Sequence, residues 1–474
     1  MNEWIVAASL LMLLAGTFLR RNIRTGVLAG LAVIAVSLVW TGDAALLYGT
    51  EVGNGLIITF ELGLLLLGAL AFYNILTVHG HFQFITELID RIPSRLTVAL
   101  ILSFFLVAFL EGVAGFGVPT MLAAPLMLSA GYRPATAIIL PLAANTTAVT
   151  FGALGIPLKV GFDIYTSGEV VMNVLMLNLL PVLVLPFLLA MLYARTEGVK
   201  IDWRSELRML SGAGICFALP YFVTGLWSLE FPSVAAGSVG LVLFMVMFAK
   251  VQGDIGPAFW WKAFWPYIVF VLMLAVIKPL VAGYSIHFGE GLRRLQAFQP
   301  GVIFLFAVGV YLAAGRFRDR RSSILLPLRD TLIGMKMSML TILMLVCYTQ
   351  LVRGSLAGMV SGGMEVMPAW LQMVMLPVAG VSGSFITGSA TMSNLLLAGI
   401  VQMPAIGGAA IAIAMLHTGS ALGNAISLQN IVMIRSVVPS KESDGWIIAT
   451  NLIPVAVYTV LVAAGYMVLK MLIS

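Results

Sequence analysis

Charged residues are scarce in this chain. Of its 474 residues, 10% are charged and 61% are hydrophobic, and the mean hydropathy is +1.05. An ordinary soluble domain is about one quarter charged and about half apolar. The charges are too few to cover a water-exposed surface, and the apolar runs are too long for a soluble core. The composition therefore predicts an all-α polytopic membrane protein. A transmembrane β-barrel is disfavoured because barrel strands alternate apolar and polar residues, whereas these runs are continuous.

Cysteines and long polar stretches are also scarce. The two cysteines, Cys216 and Cys347, both lie in apolar runs, so neither a disulfide framework nor a metal cluster is expected. No polar stretch is long enough for a separate soluble domain, and residues 1–474 are predicted to form a single integral membrane domain. Residues 1–4 (MNEW) lack the basic region of a cleaved signal peptide, so the first apolar run is expected to remain as a helix. A P-loop motif is absent, which disfavours ATP-driven transport.

The apolar runs predict about twelve full membrane spans plus two shorter interrupted regions. In the first interrupted region, residues 96–130, two apolar arms (96–110 and 118–130) flank the glycine-rich segment 111–117. At roughly 1.5 Å per residue each arm is about 20 Å long, too short to cross about 30 Å of hydrocarbon. Residues 367–402 have the same organisation. Both regions are therefore predicted to be re-entrant hairpins. The full spans are predicted at residues 4–19, 26–40, 54–76, 134–154, 170–193, 210–228, 233–249, 264–281, 299–315, 331–352, 404–424 and 446–472.

The basic residues favour these hairpins. Lys and Arg collect on the cytoplasmic side of membrane proteins. If both regions turn back, most of the 26 Lys and Arg residues fall on one side. The exceptions are Lys159, Lys278, Arg293, Arg294, Arg353 and Lys470. If each region crosses once, the basic residues divide nearly evenly. The hairpin arrangement predicts a multi-pass protein of the bacterial cytoplasmic membrane with both termini outside. The net charge of +6 is then an orientation signal rather than a sign of nucleic-acid binding.

Seven full spans separate the two hairpins, so they enter the membrane from opposite sides. Similar segments in opposite orientation are typical of inverted-topology transporters. Each hairpin is followed by an apolar span that small polar residues interrupt. The predicted repeat cores are residues 54–193, with hairpin 96–130 and broken helix 134–157, and residues 331–472, with hairpin 367–402 and broken helix 404–430.

Irregular backbone at membrane depth is tolerated only where protein buries it or water reaches it. Helix starts favour an anion, and exposed carbonyls can hold a cation. Four breaks near mid-membrane therefore predict a site for a small anion and a coupling cation. The alternative is that Gly, Ser and Thr only let helices pack closely.

Glycines, hydroxyls and amides at these breaks are the candidate substrate-binding groups. They can bind carboxylate oxygens without a buried charge, although some could instead cap helix ends. No arginine lies in a hairpin tip or break, so an Arg–carboxylate clamp is not expected. The candidates are Gly115, Phe116, Gly117, Asn145, Thr146, Thr147, Ser384, Thr387, Gly388, Ser389, Thr391, Ser393, Asn394, Thr418 and Ser420.

Two ionisable residues are candidates for ion coupling. Glu111, at the first hairpin tip, either carries the coupling proton or locks the hairpin by hydrogen bonds. His417, in the second broken helix, either handles a proton, binds a substrate hydroxyl or packs as a polar residue. The loop containing His79 and His81 has no recognisable ligand spacing, so no metal site and no cofactor is expected.

Three segments resemble the lactate permease family of secondary transporters. They are residues 109–119 (FLEGVAGFGVP), 144–157 (ANTTAVTFGALGIP) and 388–394 (GSATMSN). The resemblance implies uptake of L-lactate, D-lactate or glycolate with protons, by a member of a wider ion-transporter group with paired re-entrant hairpins. Val118 stands where the family has a threonine, and His417 stands in place of a small amide-bearing motif. Transporters of the wider group are often homodimers, although this sequence carries no independent dimer motif.

Together these features predict a symporter rather than an enzyme. Its expected partners are a small organic anion, a coupling cation (H⁺ or Na⁺) and the lipid bilayer, with no nucleic acid. Transport would proceed by alternating access around the two hairpins. The alternatives are a sodium-coupled organic-anion transporter of the same group, a passive channel, and a membrane-embedded enzyme acting on lipid. The enzyme is disfavoured because the only polar group of that kind surrounds His79 and His81.

Overall fold

The computed structural model describes residues 3–20, 22–41, 49–81, 87, 91–113, 115, 117–162, 167–252, 257–281, 283–289, 291–314, 324–402 and 408–473. These residues are almost entirely helical. Eleven of the described helices are long and apolar enough to cross a membrane. A helix satisfies its own backbone hydrogen bonds, which hydrocarbon cannot do. The predicted all-α polytopic class is therefore confirmed.

The first half of the chain forms eleven α-helices in the described residues. A π-helical turn, Ile101–Phe105, joins α4 to α5, and a 3₁₀ turn, Val149–Phe151, joins α7 to α8. The helices are α1 (Glu3–Leu19), α2 (Ile23–Thr41), α3 (Gly49–Val78), α4 (Arg95–Leu100), α5 (Leu106–Val113), α6 (Val118–Ser129), α7 (Pro134–Ala148), α8 (Gly152–Phe162), α9 (Gly168–Glu197), α10 (Trp203–Gly225) and α11 (Pro232–Phe244).

The second half is also helical, apart from a two-stranded antiparallel sheet in which Ser285 pairs with Gln296. A second 3₁₀ turn, Asn424–Ile426, separates α17 from α18. The elements are α12 (Pro257–Val281), β1 (Ser285–Ile286), β2 (Leu295–Gln296), α13 (Pro300–Ala314), α14 (Leu326–Glu365), α15 (Ala369–Thr387), α16 (Ala390–Leu397), α17 (Ala409–Gly423), α18 (Leu428–Val437) and α19 (Asp444–Ile473).

These elements form two compact units. The first comprises Met1–Arg91, Gln252–Arg353 and Val432–Pro439, and the second comprises Ile92–Val251, Gly354–Ile431 and Ser440–Ser474. In the first unit, Ser9 on α1 shares a hydrogen bond with Tyr348 on α14. The second unit contains both predicted hairpins and nearly all of both predicted broken helices. The predicted repeat cores begin at residues 54 and 331, so each begins in the first unit.

The described spans differ from the prediction in length. The eleven membrane-length helices include Arg95–Gly112 and Ala369–Thr387, the first arms of the two predicted hairpins. These arms are longer than the sequence suggested, because helix continues into the glycine-rich segments. Conversely, α1 has 17 residues and α13 has 15, which is short for a span. Arm length alone therefore does not decide whether a segment crosses or turns back.

The two ends of the first hairpin lie together. The guanidinium of Arg95, at the start of α4, donates hydrogen bonds to the carbonyls of Ala130 (2.8 Å) and Gly131 (3.0 Å), just after α6. In return the Tyr132 hydroxyl donates to the Arg95 carbonyl at 2.6 Å. The returning helix α6 has 12 residues, about 18 Å, which is too short to cross a bilayer by itself.

The second hairpin is built alike. Helix α15 has 19 residues, and α16 packs back along it, with Ser393 donating to the Gly380 carbonyl at 3.0 Å. The turn of each hairpin contains a glycine in the left-handed region, Gly117 (φ 81°) and Gly388 (φ 74°). Glycine adopts this conformation without the steric cost that a side chain brings.

Two broken helices follow the hairpins and pass through the same series of conformations. Helices α7 and α17 each have 15 residues, and each is followed by a three-residue 3₁₀ turn. Each turn ends at an extended residue, Gly152 (ψ 155°) or Ser427 (ψ 136°). Just inside α8, Ala153 (φ 47°) and Leu154 (φ 59°) are left-handed. Such strain in non-glycine residues is concentrated at functional sites.

Helices α15 and α17 pack backbone against backbone, with no room for a side chain at the glycines of the contact. A Cβ atom added to Gly419 would lie 2.1 Å from the Pro377 carbonyl oxygen, and one added to Gly380 would lie 2.3 Å from that of Leu416. Helix pairs in membranes use small residues in this way, because close packing replaces the hydrophobic driving force.

We expect Gly419→Ala to destabilise the protein by about 1–3 kcal/mol, because overpacking forces the two backbones apart. The measurement is thermal unfolding of the purified protein in detergent, as a fall in Tm. The matched control is Gly334→Ala on α14, where a new Cβ would meet nothing within 4 Å. Equal Tm values for the two variants would contradict the packing described here.

Candidate functional site

The break between α7 and α8 meets the second broken helix at His417. The His417 Nε2 atom lies 2.8 Å from the carbonyl oxygen of Thr150, in the 3₁₀ turn of the first break. Its Nδ1 atom lies 2.9 Å from the Asn394 amide nitrogen on α16. That nitrogen also donates to the Pro157 carbonyl at 3.0 Å. The two predicted repeats are thus hydrogen-bonded to each other through buried side chains.

These contacts assign the protonation of His417. A carbonyl oxygen only accepts, so Nε2 carries the hydrogen that the Thr150 carbonyl receives. The Asn394 nitrogen only donates, so Nδ1 offers its lone pair. Turning the Asn394 amide would set its oxygen against the Pro157 carbonyl, two acceptors facing each other. His417 is therefore neutral in this network and links the first break to α16 of the second hairpin.

Glu111 lies at the same break, bonded to a single amide. The Asn145 amide nitrogen on α7 donates to Glu111 Oε2 at 3.0 Å, and both side chains are 3% exposed. The other carboxyl oxygen, Oε1, lies against Gly152, where an added Cβ would approach it to 2.6 Å. Gly115, at the hairpin tip, is held against Ala153 in the same way, since a Cβ added to Gly115 would lie 2.6 Å from the Ala153 Cβ. The acid thus sits where the helix is broken.

The backbone freed by the breaks is satisfied by side chains from other elements. Ser233 on α11 donates to the Ala148 carbonyl at 2.7 Å, and Asn451 on α19 donates to the Ala425 carbonyl at 3.2 Å. Buried backbone groups that lose helical partners must find others. Ser233 and Asn451 were missed from the sequence because both lie on otherwise regular apolar spans.

A buried hydroxyl network was also missed. The Tyr458 hydroxyl lies 2.8 Å from Thr147 Oγ1 and donates to Asn178 Oδ1 at 2.6 Å. Asn178 in turn donates to Thr418 Oγ1 at 3.4 Å. A second pair joins Thr150 and Tyr221 at 2.6 Å. In the sequence, the one indication of this network is Asn178, an amide within a long apolar span.

The second hairpin is fastened to its broken helix by serines. Ser384 on α15 donates to the Ser420 carbonyl, and Ser393 Oγ lies 2.9 Å from Ser420 Oγ. Asn145 and Ser420 occupy the same position within their 15-residue helices, and each bonds its own hairpin. The first copy has an acid at this contact, and the second has only hydroxyls.

Several predicted site residues form hydrogen bonds with nearby backbone. Thr146 donates to the Ala143 carbonyl, Thr387 donates to that of Gly383, and Ser389 accepts from the Met392 amide as the N-cap of α16. Thr391 is half-buried in the first turn of α16. Gly117 caps α6, and Gly388 lies against Gln429. Phe116 lies outside the described residues.

Two of the buried amide oxygens that have no hydrogen-bond partner in the described part of the chain lie near the first break. The full set is on Asn145, Gln350, Gln372, Asn394 and Asn451. The two near the break, Asn145 Oδ1 and Asn394 Oδ1, are both shielded from solvent. Buried polar atoms are nearly always paired, so such acceptors suit a ligand hydroxyl or a cation. Among the described residues no group of three or more His, Cys, Asp or Glu could hold a metal ion.

The sequence profile of the L-lactate permease family matches residues 5–283 and 258–473. The putative L-lactate permease of Haemophilus influenzae is 23% identical over 84% of this chain and 85% of its own length. The L-lactate permease of Bacillus subtilis is 24% identical over 88% of each chain. The glycolate permease GlcA of Escherichia coli K12 is 34% identical over 40% of this chain and 33% of its own. The chain therefore belongs to the L-lactate permease family and is a multi-pass membrane transporter rather than an enzyme.

Proposed function

We propose that this protein carries a small monocarboxylate, such as lactate or glycolate, across the bacterial cytoplasmic membrane together with a proton. The observation that carries the proposal is the buried contact between Glu111 and Asn145 at the break of α7 and α8. An ionisable group at membrane depth is costly and is usually kept for ion or proton movement.

The chemistry of the site fits a 2-hydroxy acid. Lactate and glycolate each carry a carboxylate and, on the next carbon, a hydroxyl. The Asn394 oxygen is a fixed acceptor, because both hydrogens of its amide are engaged by His417 and Pro157. This oxygen can accept a hydrogen bond from the substrate hydroxyl. Relatives named L-lactate permease and glycolate permease support the same substrate class.

Coupling is assigned to Glu111 rather than shared with His417. Both His417 nitrogens are engaged in the neutral form, so the histidine cross-links the first break and the second hairpin. The second copy has serines at the contact equivalent to Glu111–Asn145. Sodium coupling is the second candidate, because the Glu111 carboxylate and the Asn145 oxygen are the kind of ligands that a hard cation takes.

The transport cycle is alternating access around two re-entrant hairpins of an inverted repeat. The meeting of Arg95 with Ala130 and Gly131 supports a first hairpin that returns to its side of entry. The matching breaks after α7 and α17 support the repeat. The basic residues orient the chain with both termini outside. A homodimer stays a prediction.

In proteoliposomes with an inwardly directed proton gradient, we expect the wild-type protein to accumulate radiolabelled lactate or glycolate. Glu111→Gln removes the titratable group, so uptake should fall to simple equilibration while exchange of labelled for unlabelled substrate continues. The matched control is Glu61→Gln on α3, whose carboxylate pairs with Arg293 at 3.5 Å and which should keep gradient-driven accumulation. Failure of every small carboxylate to accumulate under any gradient would refute the transport proposal.

Replacing Na⁺ by K⁺ or choline at fixed pH should leave the uptake rate unchanged. This follows because a proton, not a metal ion, neutralises Glu111 in the proposed cycle. The measurement is initial uptake as a function of Na⁺ concentration. A saturable dependence on Na⁺ would replace proton coupling by the sodium alternative.

The orientation can be measured by cysteine labelling in a Cys216→Ser, Cys347→Ser background. We expect Glu3→Cys to react with a membrane-impermeant maleimide added to intact cells, because the basic residues place the amino terminus outside. Lys441→Cys, in a loop predicted to be cytoplasmic, should react only after the membrane is opened. The reverse labelling pattern would invert the proposed topology.

A further inference from the structure

The two ends of the Asn145 amide differ in their hydrogen bonding. Its amide nitrogen donates to Glu111, while in the described part of the chain its amide oxygen is buried with no hydrogen-bond partner. An asparagine amide has a donor end and an acceptor end of nearly the same shape, and it can exchange them by a half turn. In the present orientation the acceptor end faces away from Glu111. That face repels a carboxylate and suits a hydroxyl or a cation.

Protonation of Glu111 changes which end of the Asn145 amide it can bond. An ionised carboxylate only accepts, so it holds the amide nitrogen toward itself. A carboxyl protonated at Oε2, the atom that Asn145 contacts, has an O–H donor there, which calls for an acceptor. A half turn of the amide brings its oxygen to this O–H and directs its nitrogen to where the oxygen now lies. The site then presents a donor, which a substrate carboxylate can accept from.

The other buried amide near the first break, Asn394 on α16, has no such freedom. Asn394 donates to both Pro157 and His417, and turning it would face its oxygen with the Pro157 carbonyl. Neither partner changes charge in this network, since His417 is held neutral. Of these two buried amides with an unbonded oxygen, only Asn145 faces a partner whose charge changes in the proposed cycle.

In the described elements around Glu111, no other charged side chain is placed to couple its protonation to the substrate anion. Helices α6, α7, α8 and α11, the π-helical turn and the first 3₁₀ turn pack against α5. In the described residues of these elements the only charged side chain is Lys159 on α8, which is ion-paired with Glu230. Proton binding at Glu111 therefore reaches the anion through Asn145.

We propose that Asn145 is the positioning residue that converts protonation of Glu111 into affinity for the substrate carboxylate, by turning its side-chain amide. This inference rests on the proposed function for the proton site and the substrate class. A proton from the water on the open side adds to the Glu111 carboxylate, the amide turns, and the anion binds. On the other side the proton returns to water, the amide turns back and the anion leaves. The order is proton first on entry, and no bond between heavy atoms changes.

The test is the pH dependence of lactate and glycolate binding to the full-length purified protein, measured by titration calorimetry from mildly acidic to mildly alkaline pH. Wild-type affinity should fall as the pH rises, because ionised Glu111 turns the acceptor toward the substrate. Glu111→Gln leaves the amide free to turn, so its affinity should stay at the acidic wild-type level at every pH.

The variant Asn145→Leu keeps the volume of the side chain and removes both hydrogen-bonding ends. Its affinity at acidic pH should fall by about ten- to hundredfold, the loss expected for one hydrogen bond to a charged group, and its pH dependence should disappear. Asn145→Gln, which again has both ends, should restore part of that dependence. Asn145→Ala takes the place of the leucine variant if the latter fails to fold. The matched control is Asn74→Leu, an asparagine on α3 that donates to Thr331 at 2.8 Å and should leave the profile unchanged.

The outcomes distinguish failure of the Asn145 switch from failure of the proposed function. A wild-type profile that does not depend on pH, or that Glu111→Gln leaves unchanged, would reject Glu111 as the proton site. If Glu111→Gln removes the dependence but Asn145→Leu retains it, Glu111 acts on the anion directly and the switch is wrong.

A readout without substrate decides the switch independently. In infrared difference spectra between acidic and alkaline pH, the carbonyl band of protonated Glu111 is the one missing from Glu111→Gln. In Asn145→Leu this band should move to higher wavenumber, because the acid has lost its acceptor. A band that does not move, or no such band in the wild type, would overturn the proposal.

Discussion

Every feature of the central region depends on one constraint, that backbone groups freed by a helix break in an apolar medium must find new partners. The first break frees the carbonyls of Ala148 and Thr150, and Ser233 and His417 satisfy them. The second depends in the same way on Asn451. The polar residues of an otherwise apolar chain are therefore concentrated at the breaks, and their first role is to keep an irregular backbone stable.

The second consequence is that the two similar halves differ in the contact that holds each hairpin to its broken helix. Each hairpin is fastened to its own broken helix at the same helical position, by Glu111 in the first half and by Ser384 and Ser393 in the second. The serine contacts carry no titratable group. In the proposed cycle the carboxyl contact changes with proton binding. Under that proposal, one titratable contact distinguishes a proton-responsive half from a half that does not respond.

Much of the framework was predictable because it depends on local sequence. Continuous apolar runs predicted the spans, and the glycines near 117 and 388 predicted the turns that the structure has at these positions. The length of the hairpin arms was underestimated, because an apolar glycine-containing segment can continue a helix or end it. Thr146, Thr387 and Ser389 were predicted to bind substrate, and in the structure they bond or cap nearby backbone, so their role in binding stays a prediction. A hydroxyl has the same sequence signature in either role.

The sequence by itself determined the membrane class, the positions of the breaks and the presence of a buried acid, because hydropathy and glycine content act over a few turns of helix. Only the tertiary structure decided which groups meet. His417 bonds a carbonyl 267 residues away, and Asn145 faces Glu111 across 34 residues. These pairings are set by how the helices pack. The same packing decided that His417 is a neutral cross-link and that, among the described residues, the Asn145 oxygen beside Glu111 has no hydrogen-bond partner.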